Sequence, residues 1–267
     1  MGVAAVGSRP GRQRGFALLI VLWAMVLLSL LFSRLVSAGR GEAEIAFNLR
    51  AAARLQAQAD GMVERGIFDL LGSAVPLKGA STVHVLRLPG ERVTIAITDL
   101  AGRINPNTAS APLLAALLHE VGAEATEAAA VSQAVVDWRS PDTQGQFEAP
   151  QYKQAGRDYS PAGAPFGSIA ELGLVLGMTP GLLAKLTPHL SLYNRDEPNF
   201  QLADSVTRRA LTAVGIAAQD TPDRPPRDVS VRSTVEAEDG TRASRVADVE
   251  LQISSEPEGF RILTWQK

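Results

Sequence analysis

The chain has 267 residues, enough for one or two domains with their own hydrophobic cores. Its 26 basic and 28 acidic residues give a formal charge of −2. Three of its arginines precede Phe16, so the rest of the chain has 23 bases against 28 acids, or −5, which argues against a nucleic-acid-binding surface. The absence of cysteine excludes thiolate nucleophiles, disulfides and cysteine-ligated metals, and leaves the cellular compartment open.

The first predicted element is an apolar helix over residues 16–32, in which Ser29 is the only polar side chain. A helix of that length covers about 26 Å, close to the shortest span that crosses a bilayer. Arg9, Arg12 and Arg14 precede it and predict that the N-terminus stays in the cytoplasm while the chain after Arg34 lies on the other side. A secretory signal peptide is the alternative, because residues 36–38 resemble a small-residue cleavage site.

Helical periodicity continues well beyond this apolar segment. Apolar residues follow at helical spacing on one face, namely Ile45, Leu49, Ala52, Ala59, Val63, Ile67 and Leu70. We therefore predict one helix from residue 16 to about 71, apolar in its first half and amphipathic in its second. A signal peptide does not need this continuation, so the pattern favours a membrane anchor. The stripe from Ile45 to Leu70 is expected to be buried, partly by the chain's own sheet and partly by neighbouring molecules.

Strands and helices then alternate in blocks. Residues 82–88 and 91–100 alternate apolar and polar side chains around Pro89-Gly90 and predict a β-hairpin. Thr108 or Ser110 would cap a helix that ends near Glu120. Further helices are predicted over residues 124–138, 168–176, 180–186 and 203–213, with a long loop over 140–166 and Gly177 at a corner.

The C-terminal region predicts strands again. Residues 220–227 are a proline-rich linker, and residues 228–237, 242–254 and 259–265 predict three antiparallel strands with turns at Asp239-Gly240 and Glu258-Gly259. Trp138 and Trp265 end their elements and are expected to anchor the core. A compact sheet interrupted by a helical insertion explains this order better than two domains in tandem.

Catalytic motifs are missing from the sequence. His84, His119 and His189 are far apart, and the chain has no nucleophile elbow, phosphate-binding loop or dinucleotide-binding glycine pattern. We predict that the protein is not an enzyme, with no catalytic residues and no cofactor.

The N-terminal pattern resembles that of type IV pilins and of the pseudopilins of type II secretion: a short basic leader, Gly15, Phe16 and an apolar half-helix. The resemblance implies that a prepilin peptidase cleaves after Gly15 and methylates the new N-terminus at Phe16. Most such subunits have Glu as the fifth mature residue, where this chain has Ile20. The minor pseudopilin K family of the general secretion pathway lacks that Glu and is larger than its relatives.

Four further segments resemble the protein K family in its order. They are "DLAGRINPNTASAPLLAALL", "VVDWRSPD", "SIAELGLVLGMTPGLLAKLTPHLSLYN" and the C-terminal "GFRILTW". The resemblance implies an α+β pseudopilin fold, with a long membrane-spanning N-terminal helix and an antiparallel sheet interrupted by an inserted all-helical domain. The implied parts are a leader (1–15), the transmembrane half-helix (16–34), the remaining helix with the first strands (35–104), the insert (105–219), and a linker with the last strands (220–267).

The function implied is structural. The chain would be a single-pass inner-membrane subunit with its C-terminal domain in the periplasm, at the tip of the type II secretion pseudopilus, initiating or capping its assembly for export of folded proteins. Its partners would be other minor pseudopilins, similar to I and J, together with the prepilin peptidase and membrane lipid.

The loop after residue 136 is the candidate cation site, because some protein K relatives bind calcium there. Asp137, Asp142 and Glu148 are spread over twelve positions, whereas calcium needs six to eight oxygen ligands. We expect a solvated loop and predict no metal, leaving open whether a calcium site survives.

DNA binding is the alternative function. Residues 103–117 and 169–186 resemble the helix pairs of helix-hairpin-helix modules, in which backbone N–H groups bind phosphate. The hairpin at residues 177–179 has a single glycine, and only Lys185 follows nearby. With the negative charge of the chain, this favours a helix pair that packs for structural reasons, and we predict no nucleic-acid partner.

Overall fold

A computed structural model describes residues 13–72, 79–142, 144–217, 227–252 and 259–266. The chain forms two units, one ending at Arg54 and the other beginning at Leu55. A single helix, α1 (Gln13–Gly72), begins in the first unit and ends in the second, which confirms the predicted long helix. Within it, Phe16–Arg34 is long and apolar enough to cross a membrane, with a mean hydropathy of 2.7 and none of its residues buried.

The second unit contains one antiparallel sheet of five strands in chain order. They are β1 (Ser81–Leu88), β2 (Glu91–Asp99), β3 (Asp228–Ala237), β4 (Arg242–Gln252) and β5 (Gly259–Gln266). The predicted hairpin is confirmed, and its two-residue turn has Gly90 at a φ of +75°, a left-handed conformation that glycine adopts without steric cost. Alternate residues of β2, β3 and β4 are buried, as expected for a sheet that packs on one face.

The C-terminal part of α1 covers that buried face. Its inward side chains recur every four residues, at Leu55, Ala59, Val63 and Ile67. They form a core with the inward side chains of the three central strands, which are Val93, Ile95, Ile97, Val229, Val231, Val235, Ala247, Val249 and Leu251. Gly66 lets the helix approach closely, because a Cβ there would lie 3.1 Å from the side chains of Ile95 and Val231. At the flank of the helix, the buried guanidinium of Arg245 pairs with Asp60.

A helical insert lies between β2 and β3, which are hydrogen-bonded neighbours in the sheet. It contains α2 (Ala111–Glu120), α3 (Ala125–Arg139), α4 (Ala149–Gln154), α5 (Pro180–Leu186) and α6 (Ser205–Ala213). Short 3₁₀ segments occur at Leu100–Gly102, Ile169–Leu174 and Thr187–His189. The insert has its own apolar core, separate from the core of the helix and sheet. The α+β class with an inserted helical domain is therefore confirmed, whereas the predicted domain boundaries stay a prediction.

Side-chain caps explain where the insert's helices begin. Ser110 accepts a hydrogen bond from the Leu113 N–H, which selects Ser110 over Thr108 as the cap of α2. Thr179 caps α5 and Asp204 caps α6 in the same way. Gly177, predicted at a corner, has a φ of +81°.

Two predictions about local structure were wrong. Residues 140–166 are not only loop, because α4 lies within them and its Tyr152 is fully buried against Trp138. Trp265 does not anchor the core, because it is 39% exposed, whereas Trp138 is buried as expected.

Some predictions fall outside the described residues. These are most of the leader, most of the linker over residues 220–227, and Glu258 of the last predicted turn. The side chains at residues 36–38, the alternative cleavage site, also lie outside the description.

We expect Val63→Asp to destabilise the second unit by about 3 kcal/mol or more, because it places an unpaired carboxylate in a fully buried apolar contact. Thermal unfolding of the full chain in detergent measures the effect. Ala57→Asp, at an exposed position of the same helix, is the control. Equal stability of the two variants would show that this helix face is not a core.

Two glycines of α1 should respond in opposite ways. Gly66→Leu should cost about 1–3 kcal/mol, because the side chain would collide with Ile95 and Val231. Gly61→Ala should gain up to about 1 kcal/mol of helix propensity, because nothing lies within 4 Å of the new Cβ. Urea unfolding of both variants checks the prediction, and a neutral Gly66→Leu would contradict the close approach of helix and sheet.

Candidate assembly interface

The predicted processing bond between Gly15 and Phe16 lies in the first turns of α1. Phe16 is 69% exposed, and the span that follows has no contact that buries it. Ile20 is also exposed and has an apolar side chain. The role of Gly15 and Phe16 in processing stays a prediction.

The amphipathic stripe of α1 is buried in only part of its length. From Leu55 onward it packs on the sheet, as predicted. Ile45 and Leu49 share a helix face and are exposed, and Phe47 is exposed on another face. These three side chains have no cover within the described chain and are candidates for contact with a neighbouring subunit.

A second apolar surface lies on β5, at the edge of the sheet. Phe260 pairs with Leu251 and Ile262 with Val249, so both lie on the sheet face that carries the core. Phe260 is 46% and Ile262 44% exposed, and Trp265 is exposed opposite the buried Ala247. This extension of the core to an uncovered edge is a second candidate contact.

The candidate cation loop is not simply solvated, which corrects the prediction. Asp137 is only 5% exposed and accepts hydrogen bonds of 2.8 Å from the Gln133 side chain and from the Phe147 N–H. Glu148 accepts one from the Gly145 N–H at 3.1 Å. A Cβ at Gly145 would lie within 3 Å of both carboxylates, so this glycine permits the tight turn. Asp142 accepts a hydrogen bond from the Gln144 N–H and is exposed. In the described residues, Asp137 therefore has a structural role in closing this loop.

The first helix-hairpin-helix candidate has a structural role that sequence reasoning missed. The Asn105 side chain donates to the Asn194 carbonyl at 2.8 Å, and the Asn194 side chain donates to the carbonyls of Ala101 and Arg103. Asn107 exchanges two hydrogen bonds with the backbone of Phe166. Three asparagines thus join the start of the insert to segments 60–90 residues later.

Two basic side chains near these hairpins, Arg139 and Arg209, already have partners within the chain. Arg139 donates to the carbonyls of Pro106 and Ala109, and burial lowers the pKa of its guanidinium. Arg209 pairs with Glu120 at 2.5 Å. For the asparagines, the sequence signal was Asn105-Pro106-Asn107, a spacing that is typical of Asx turns.

The insert meets the outer face of the sheet through polar groups. Arg103 lies near Asp248 of β4; burial lowers the pKa of Arg103, and the Asp248 carboxylate opposes that shift. Burial also raises the pKa of Tyr193, whose neighbours there are Asp248 and Thr264.

Asp204 is the most strongly perturbed acid in this insert. Partial burial raises its pKa, but hydrogen bonds from His189 and Thr207 outweigh this and hold the pKa far below the ordinary value. His189 Nδ1 lies 2.8 Å from Asp204 Oδ2, and the Val206 N–H donates to Oδ1 at 2.8 Å. Asp204 thereby ties the 3₁₀ segment at His189 to the start of α6.

Comparison with known proteins agrees with this architecture. Residues 94–195, from β2 to the segment before α6, match the family model of type II secretion system protein K. These residues are therefore similar to protein K of type II secretion. The resemblance predicted from the sequence is thereby confirmed.

A solved structure shares the fold. It is a chain of the crystal structure of the GspK–GspI–GspJ complex from the enterotoxigenic Escherichia coli type 2 secretion system. The two chains have 17% identity and a TM-score of 0.61, and the alignment covers 84% of this chain and 98% of that chain. No curated protein matches the sequence. The family match and the shared fold support a minor pseudopilin.

We expect Asp204→Asn to make the stability of the insert less sensitive to acid. The folded-state pKa lies below the ordinary value of about 3.9, so the stabilisation is complete above that pH and is lost as the pH falls below about 4. Asparagine also caps helices but carries no charge, so the variant should lose only part of this stabilisation at pH 7. Urea unfolding at pH 7 and pH 3 should show a smaller loss for the variant than for the wild type. Asp158→Asn, at an exposed position, should behave like the wild type.

Proposed function

We propose that this chain is a minor pseudopilin that occupies the tip of a type II secretion pseudopilus, where it starts or caps the filament. The observation that carries the proposal is the helical insert between β2 and β3, which matches protein K and has a core of its own. A filament wall requires each subunit to pack against copies above and below. A second domain of this size is accommodated more easily at an end than in a repeating wall.

Ile20 supports the same position. In pseudopilins with a carboxylate at the fifth mature residue, that group would neutralise the N-terminal amine of an adjoining subunit in the apolar filament interior. A charge left unpaired in such surroundings is costly. Ile20 cannot supply the counter-ion, so this chain would not recruit a copy of itself.

Neighbouring minor pseudopilins would cover the exposed apolar surfaces. The solved relative is part of a complex with two other proteins, GspI and GspJ. In this chain, Ile45 and Leu49 of α1 and Phe260 and Ile262 of β5 are exposed and apolar, as in surfaces buried by assembly. The membrane-spanning helix would lie in the inner membrane, with the second unit in the periplasm.

Processing is the first test of this function. We expect the mature chain to begin at Phe16 with a methylated amine, because the peptidase would cleave after Gly15. N-terminal sequencing and mass spectrometry of the protein purified from membranes measure this. Gly15→Leu should retain the leader, and Gly39→Leu is the matched control. A mature N-terminus at Met1 or at Gly39 would contradict the proposal.

Filament formation is the second test. The processed chain expressed without other pseudopilins should form no long filaments, because Ile20 offers no counter-ion for the next amine. Electron microscopy of sheared fractions detects filaments, and immunogold labelling in the complete system should mark one end of each pseudopilus. Ile20→Leu should behave as the wild type. Long homopolymers, or label along the whole filament, would refute the tip position.

DNA binding, the alternative function considered from the sequence, has no observation in its favour among the described residues. A gel-shift assay with the full chain in detergent tests it, and salt-sensitive binding would support this alternative.

A further inference from the structure

Strand β1 is an edge of the sheet that no described segment covers. It pairs with β2 on one side only, and nearly all of its residues are exposed. Its eight residues pair with β2 without a register shift. An edge strand presents a row of unpaired N–H and C=O groups, which is a template for another strand.

The pairing pattern identifies which backbone groups point outward. The Asp99 N–H donates to the Ala80 carbonyl at 3.0 Å, so even-numbered residues of β1 form the hydrogen-bonded pairs with β2. Val83, Val85 and Arg87 therefore direct their N–H and C=O groups away from the sheet. Their side chains share the face opposite α1, because their partners Ala96, Thr94 and Arg92 alternate with the buried residues of β2.

This edge lacks the usual protection. Charged side chains in mid-strand, proline and bulges commonly prevent edge strands from pairing with other molecules. From Ser81 to Leu86, β1 has no charge and no proline, and Val83 and Val85 are 59% and 56% exposed. The opposite edge, β5, differs, because a register shift between Asp248 and Val249 interrupts its ladder.

A pair of like charges lies at the C-terminal end of the exposed edge strand. Arg87 lies directly opposite Arg92, and like charges at such positions destabilise a sheet. The next residue in the same row, Glu236, pairs with Arg242 at 3.7 Å. The row therefore contains three arginines and one glutamate, and a carboxylate beyond Arg87 would relieve the repulsion.

We propose that β1 binds an extended strand of a partner protein by antiparallel strand addition. The partner strand has β-branched residues opposite Val83 and Val85 and an Asp or Glu opposite Arg87. A second copy of this chain that pairs through its own β1 cannot serve, because β1 contains no carboxylate to place opposite Arg87. The inference deepens the proposed function by giving the chemistry of one partner contact, and in that sense rests on it.

A synthetic peptide tests the proposal on the full chain in detergent micelles. The probe has the sequence Glu-Thr-Val-Thr-Val with blocked ends and a fluorescent label, so that its Glu lies opposite Arg87 in the antiparallel register. We expect saturable binding by fluorescence anisotropy and slower hydrogen exchange at the amides of Val83, Val85 and Arg87. Replacing the peptide's Glu by Lys should weaken binding about tenfold.

Variants of the protein make the test specific. Arg87→Glu should reverse the preference in favour of the Lys peptide. Val85→Pro should abolish binding, because it removes an outward N–H, while the melting temperature stays near that of the wild type. Val83→Thr, which keeps the backbone groups and the β-branched shape, should still bind.

Three results would overturn the inference: equal binding of the Glu and Lys peptides, binding to Val85→Pro, or exchange protection at other amides. Dimerisation of the chain that Val85→Pro abolishes would also overturn it, in favour of a second copy. The peptide assay needs no secretion system. If the peptide does not bind but processing and end labelling are as expected, the proposed function stands. If processing and end labelling both fail, the proposed function is refuted whatever the peptide does.

Discussion

The ladder between β2 and β3 is the constraint on which the rest of this structure depends. Nine residue pairs, from Glu91 opposite Ala237 to Asp99 opposite Val229, join two strands that are separated in the chain by the whole insert. The ladder places the inward valines and isoleucines of both strands beneath α1. The helix can bury its stripe only where this composite face exists, so the packing of α1 and the position of the insert are decided together.

The insert allows β2 and β3 to pair because polar groups hold its first and last segments together. Gly102 lies so close to Leu202 that a Cβ would come within 2.2 Å of its carbonyl oxygen, and the Asn199 N–H donates to Ala101 at 2.7 Å. Asn194 adds two hydrogen bonds to the same segment. The path into the insert and the path out of it are thus held together, while an independent apolar core stabilises its far part. A large addition to a small sheet therefore leaves the strand register intact.

Much of this arrangement was predictable from the sequence because it depends on local patterns. The 3.6-residue stripe, the alternation around Pro89-Gly90 and the cap at Ser110 each involve a few neighbouring residues. Features that depend on tertiary contacts were not predictable. Asp137 is buried because Gln133 and Phe147 supply donors, and Trp265 is exposed because β5 lies at the edge of the sheet. The asparagine contacts across 60–90 residues have only a turn signal in the sequence.

The close contact at the base of the insert has a consequence for the order of folding. Closing β2 against β3 while residues 100–227 are unfolded means closing a loop of about 128 residues, and the entropic cost of closure rises by about 0.6 kcal/mol for each doubling of loop length. Once Asn194 and Asn199 are bound to the segment at Ala101, the remaining free chain is about 30 residues. The saving is about 1 kcal/mol, which favours a route in which the insert folds first and the sheet is completed around it. Until then β2 has an unpaired edge of its own, so the chain is most exposed to mispairing during the interval between the synthesis of β2 and that of β3.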